Sequence, residues 1–158
     1  METKVGLLHV RRSIYIKALP NEVWQEFTSL ESLRAWLGQG QIIHEYDFSP
    51  AGKIDLSIEI NNKSIHFGGP VVSLIHESEI TFEMQWQNDS SWIVPTYWTI
   101  RLTGIYGGTQ VELFHHGFER LGRDGPDNLQ AYEDGWTVNH LSALREIVEA
   151  KRSKLLKN

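Results

Sequence analysis

The sequence predicts an α+β fold: a curved antiparallel sheet of about six strands wrapped around a long C-terminal helix, with two short helices after the first strand. Three observations predict it. The middle of the chain runs at period two in segment after segment, with short polar or glycine turns between them. The last segment, about Asp127 to Lys157, switches to helical spacing. No internal repeat or low-complexity linker divides the 158 residues, so one domain covering 1–158 is expected.

The elements follow in order. Leu8, Val10, Ile14 and Ile16 alternate along a first strand, about Leu7 to Lys17, and Arg12 interrupts their face, which calls for solvent or a counter-ion there. Pro20-Asn21-Glu22-Val23-Trp24 starts a helix, because proline suits the first helical turn. Leu30, Leu33, Trp36 and Leu37 place a second short helix over Leu30 to Leu37, ended by Gly38 and Gly40. From Gly52 onward Ile54, Leu56, Ile58 and Ile60 alternate with Lys53, Asp55, Ser57 and Glu59, a strand with one buried and one wet face. Asn61-Asn62 turns the chain into Lys63–Phe67, and Gly68-Gly69-Pro70 marks a bulge or bend before Val71 to Ile75. After His76–Glu79, the residues Ile80, Phe82, Met84 and Trp86 alternate with polar neighbours, then the loop Asn88-Asp89-Ser90-Ser91 follows. Tyr97 to Ile105 carries Trp98, Ile100 and Leu102 on one face, and Gly107-Gly108 turns the chain into Thr109–His116, where Val111, Leu113 and His115 share a side. Gly122 to Pro126 breaks the chain before the last helix, whose stripe is Tyr132, Trp136, His140, Leu144 and Val148, widened by Ala143 and Ile147. Only that helix is long enough to cover the sheet, and a gap should open where a bending sheet and a straight helix diverge.

Composition narrows the function. With 41% hydrophobic and 22% charged residues the chain is neither disordered nor fibrous. A net charge of −5 argues against nucleic acid, which needs a clustered basic surface. The basic residues Lys151, Arg152, Lys154 and Lys157 are better read as complementing the negative end of the helix dipole. Cysteine is absent, so there is no disulfide, thiolate metal site or cysteine nucleophile. No apolar stretch approaches the ~20 residues of a membrane span, and Met1 to Gly6 lacks the features of a secretory signal, so a cytoplasmic protein without a membrane partner is expected.

Four stretches, in order, resemble the helix-grip domains of the START-like superfamily, in the branch related to the activator of Hsp90 ATPase. They are Ile16 to Trp24; Thr28 to Trp36; Phe67-Gly68-Gly69-Pro70-Val71-Val72 leading to Ile80-Thr81-Phe82; and Gly135-Trp136 followed by Leu141 and Leu144. Each is weak alone, and together they are specific for a fold that spans nearly the whole chain, not for an activity. The family includes ligand binders, cyclase-like enzymes and chaperone-linked domains, one of which acts in the stress response. Trp36-Leu37 stands where many relatives carry two successive tryptophans, so no pocket shape is carried over.

Six tryptophans, five tyrosines and six phenylalanines are many for this length. Trp36, Phe67, Phe82, Met84, Trp86, Trp98, His115, Tyr132 and Trp136 are the expected pocket wall, each weighed against plain core packing. His115 is the candidate acid or base, against the reading of a hydrogen-bonded structural histidine, and no catalytic set is assigned. His116 should face the other way, and His9, His44, His66, His76 and His140 show no HxH or HExxH spacing, so no metal site is expected. Glu59, Glu83 and Glu112 should face water. No G-x-S-x-G elbow or dinucleotide glycine motif is present, and no cofactor is expected. Three readings stand: a binder of a small apolar or aromatic molecule, a cyclase- or hydrolase-like enzyme using His115, and a co-chaperone-like module with a chaperone partner. A symmetric homodimer is compatible with all three, although no residue pattern demands it.

Overall fold

The computed structural model describes residues 8–90, 92–135 and 139–157. Its strands are β1 (His9–Ile16), β2 (Ile42–Tyr46), β3 (Lys53–Ile60), β4 (Lys63–Ile75), β5 (Glu79–Trp86), β6 (Thr96–Ile105) and β7 (Gly108–His116). Its α-helices are α1 (Pro20–Trp24), α2 (Leu30–Leu37), α3 (Gly125–Gly135) and α4 (Asn139–Lys157), with 3-10 turns at Gln25–Phe27 and Phe118–Asp124. The seven strands form one antiparallel sheet in the order β1-β7-β6-β5-β4-β3-β2. Chain neighbours pair wherever a tight turn joins them, and β1 closes on β7 through the register Val10 to His115 and Ile14 to Val111.

Local chemistry explains the boundaries. Ser29 accepts from the Ser32 amide at 3.1 Å and so caps α2, which ends at Gly38 as its leucine and tryptophan spacing requires. Asn61 and Asn62 both take positive φ, the backbone of a two-residue hairpin turn whose twist matches the strands it joins. At Gly68 φ is +144° and a Cβ would stand 2.1 Å from the Ile54 carbonyl oxygen, so only glycine lets β4 cross β3 this closely. The expected irregularity lies just beyond, where the β4–β5 register slips between Val71 and Ser73.

Three expectations are corrected. The sheet has seven strands, because β2 was not legible: its five residues carry one buried side chain, Ile43, and a bulge between Ile43 and Glu45 destroys the alternation. The turn between β6 and β7 is Tyr106-Gly107, not Gly107-Gly108, since Gly108 already pairs with Ile105. Ser57, expected on a wet face, is buried, its hydroxyl 2.7 Å from His44 Nε2, while the His44 ring stacks on His66. The C-terminal segment is helical on either side of 136–138: α3 lies on β1 and the second 3-10 turn, and α4, the long C-terminal helix, lies on β1, α1 and α2.

The core fills the concave face. Ile16, Val111, Leu113, Ile100, Leu102 and Ile80 from the sheet meet Leu141, Leu144 and Val148 from α4 and Val23, Phe27 and Leu33 from the short helices. Lys151 reaches back from α4 to the buried Glu26 carboxylate at 2.8 Å, and Arg152 approaches Glu22 at 3.3 Å. Two of the four terminal cations therefore pin α4 to α1 and its 3-10 extension. Arg12 finds its counter-ion in Glu133 of α3 at 3.1 Å.

Candidate functional site

Helix α4 packs on β1, and beyond the packed core Ile58 of β3, Phe67 of β4, Trp86 of β5 and Trp98 of β6 face Tyr132 of α3 and the loops. A cleft of about 720 Å³ opens there. Its floor is Ile58, Phe67, Trp86 and Trp98; its far wall is Asn128, Ala131 and Tyr132 of α3 with His140 from the start of α4; Gln39 to Gln41 and Gln87 to Ser90 rim it, with Trp92 between rim and wall. Binding cavities for small molecules ordinarily measure ~300–1,000 Å³, so the volume suits a drug-sized guest.

The walls are aromatic and fixed. Phe67 and Trp86 stack with centroids 4.3 Å apart and planes 13° from parallel. Trp86 Nε1 donates to the Tyr132 hydroxyl at 2.7 Å, tying the sheet to α3 across the cleft. Trp92 meets Tyr132 edge-on at 6.2 Å and Phe118 at 6.4 Å. Burial, offset in part by the Trp86 bond, pushes the Tyr132 phenol up, so it stays protonated.

His115 lies beneath this wall, fully buried, with its ring 4.1 Å from Tyr132 and 4.6 Å from Phe118 between centroids. Trp98 Nε1 donates to His115 Nδ1 at 2.9 Å, which requires that nitrogen to be unprotonated. Nε2 therefore carries the proton and donates to Thr96 Oγ1 at 2.6 Å, and the threonine hydroxyl passes on toward the Met84 carbonyl at 3.4 Å. Burial, with a smaller push from His116, holds the His115 pKa well below 6.5, so the ring is neutral. Both ring nitrogens serve the relay that sets the Trp98 indole, and the ring does not line the cleft. His116 points to the outer face as its place in a strand requires, bonded to Thr99 Oγ1 at 3.0 Å and stacked on Tyr97.

Of the residues expected to line a pocket, Phe67, Trp86, Trp98 and Tyr132 are brought together. Trp36, Phe82 and Met84 are buried in the packed core away from the cleft, Trp36 donating to the Glu26 carbonyl at 3.1 Å. Trp136 lies outside the described residues. Sequence reasoning missed Trp92 and the rim amides Gln39, Gln41 and Gln87; a lone tryptophan between the polar loop and Pro95 was the available signal. Among the outward glutamates, Glu112 pairs with Arg11. Among the described residues no group of three or more His, Asp or Glu is placed to hold a metal ion, and no helix is long and apolar enough to cross a membrane.

Among curated proteins no sequence matches the chain at a significant level. Solved structures do share its fold. Protein CV1439 from Chromobacterium violaceum superimposes with a TM-score of 0.69 at 21% identity, over 90% of this chain and 97% of that one. The Aha1 dimer from Colwellia psychrerythraea gives 0.65 at 20%, over 89% and 96%. ChR145 from Cytophaga hutchinsonii gives 0.67 at 21%, over 97% and 99%. The family model described as "Activator of Hsp90 ATPase homolog 1-like protein" matches residues 17–149, and with the helix-grip architecture this places the chain in that family.

Proposed function

We propose that the protein binds a small apolar or aromatic molecule in the cleft between β3–β5 and α3. The observation that carries the reading is an aromatic-lined cleft of about 720 Å³ in the part of the concave face that α4 leaves uncovered. Burying a guest there would contribute about 25 cal/mol per Å² of apolar area before ordering costs. The polar groups at the rim then fix orientation, as in small-molecule sites generally. His115 serves by setting the Trp98 and Tyr132 rings rather than by touching the guest, which favours binding over the enzyme reading.

The test uses Nile red, an uncharged dye whose emission brightens and shifts to the blue in apolar surroundings. Saturable binding should be seen in the parent protein and be lost in Ala131→Trp, which places an indole in the cleft from an exposed helical position. Equal binding by the parent and a folded Ala131→Trp protein would remove the cleft from the account. The structural neighbour described as a dimer supports a homodimer here as well. Sedimentation equilibrium should return twice the 18.2 kDa chain mass, and a mass of one chain at high concentration would contradict it.

A further inference from the structure

We propose that the cleft selects an uncharged, flat aromatic molecule carrying a hydrogen-bond acceptor, and rejects the matching anion; this rests on the ligand-binding reading above. Charge is the first argument. Among the described residues that line the cleft there is no lysine or arginine, and the one acidic side chain is Asp89. The two lining histidines are already engaged: His66 Nδ1 stands 3.1 Å from both Asp55 carboxylate oxygens, and His140 Nε2 donates to the Gln39 carbonyl at 3.1 Å. A carboxylate or phosphate entering here sheds hydration and gains no lysine or arginine from the described lining.

Shape and hydrogen bonding supply the rest. The parallel Phe67–Trp86 pair offers a flat face on which another ring can stack. Tyr132 Oη already accepts from Trp86 Nε1, and among the described residues the hydroxyl has no other hydrogen-bond partner. Its own hydrogen is therefore left to donate, and the Trp86 bond holds the oxygen in place while it does so. A carbonyl, ether oxygen or ring nitrogen on the guest would complete the chain from Trp86 through Tyr132.

The test is a titration of the folded protein at pH 8, where a histidine ring is ordinarily uncharged, with 2-acetylnaphthalene, 2-ethylnaphthalene and 2-naphthoate. Indole N–H resonances of the cleft tryptophans report binding and place it. The expected Kd for 2-acetylnaphthalene is at least tenfold below that for 2-naphthoate and at least threefold below that for 2-ethylnaphthalene. Tyr132→Phe should abolish the advantage of the acetyl compound over the ethyl one, and the comparison in the parent protein stands even if that variant fails to fold. Naphthoate binding as tightly as the ketone, or the ethyl compound matching it, overturns this proposal while leaving the cleft as a binding site. Indole resonances unmoved by either neutral compound overturn both.

Discussion

His115 makes the stability of this protein depend on pH in a calculable way. The folded ring is neutral because burial holds its pKa well below 6.5, while in the unfolded chain it titrates near that value. Below pH 6.5 the unfolded state takes up a proton that the folded state refuses, so stability is present in full above that pH and is lost as pH falls. While the folded ring stays neutral, the loss between pH 7.5 and 5.5 is about 1.4 kcal/mol from this residue. His115→Gln removes the titrating group and keeps an amide donor for Thr96, but weakens the acceptor facing the Trp98 indole. That variant should lose about 1–3 kcal/mol at pH 7.5 for the compromised buried bonds, and should show a fall toward pH 5.5 that is shallower by about 1.4 kcal/mol. Urea unfolding followed by circular dichroism at both pH values measures each number. His116, whose pKa burial also lowers, contributes to both proteins and cancels in the difference. Equal pH slopes in parent and variant would refute the assignment of a neutral, relay-bound His115.

Further outcomes follow from the same structure. Gly68→Ala puts a Cβ against the Ile54 carbonyl oxygen at a φ of +144°; it should cost about 3 kcal/mol or more and lower Tm by roughly 6–12 °C, and an unchanged melting curve would contradict the close β3–β4 crossing. Lys151→Met strands the Glu26 carboxylate, which is 2% exposed. Because the lysine side chain itself is 61% exposed, the expected loss is about 1–3 kcal/mol rather than that of a fully buried pair. Adding Glu26→Gln should return part of it in chemical denaturation, and a double variant no more stable than the single one would argue against the pairing.

The fold was legible where one face of an element is buried and the other wet. Ile80, Phe82 and Met84 alternate with half-exposed neighbours in β5 as the period-two pattern requires. Helix α2 spans the expected residues because a serine cap and a glycine bracket its apolar spacing. Strand β2 was illegible because an edge strand with a bulge buries too little to leave a pattern. The site divides along a similar line. Inward direction, which the sequence encodes, marked Trp86, Trp98 and Tyr132, and Phe67 lies with them at the cleft. Whether an inward residue is covered depends on where the helices dock, and that separates Trp36, Phe82 and Met84 in the core from the four at the cleft. Trp92 and the rim amides sit on loops, where no period exists to mark them.

The most direct measurement is a crystal structure of the protein grown with 2-acetylnaphthalene. Ring density is expected stacked on the Phe67–Trp86 pair, with the ketone oxygen at hydrogen-bonding distance, about 2.7 Å, from Tyr132 Oη. A cleft closed by the protein's own side chains, with the compound bound elsewhere or absent at saturating concentration, would contradict it.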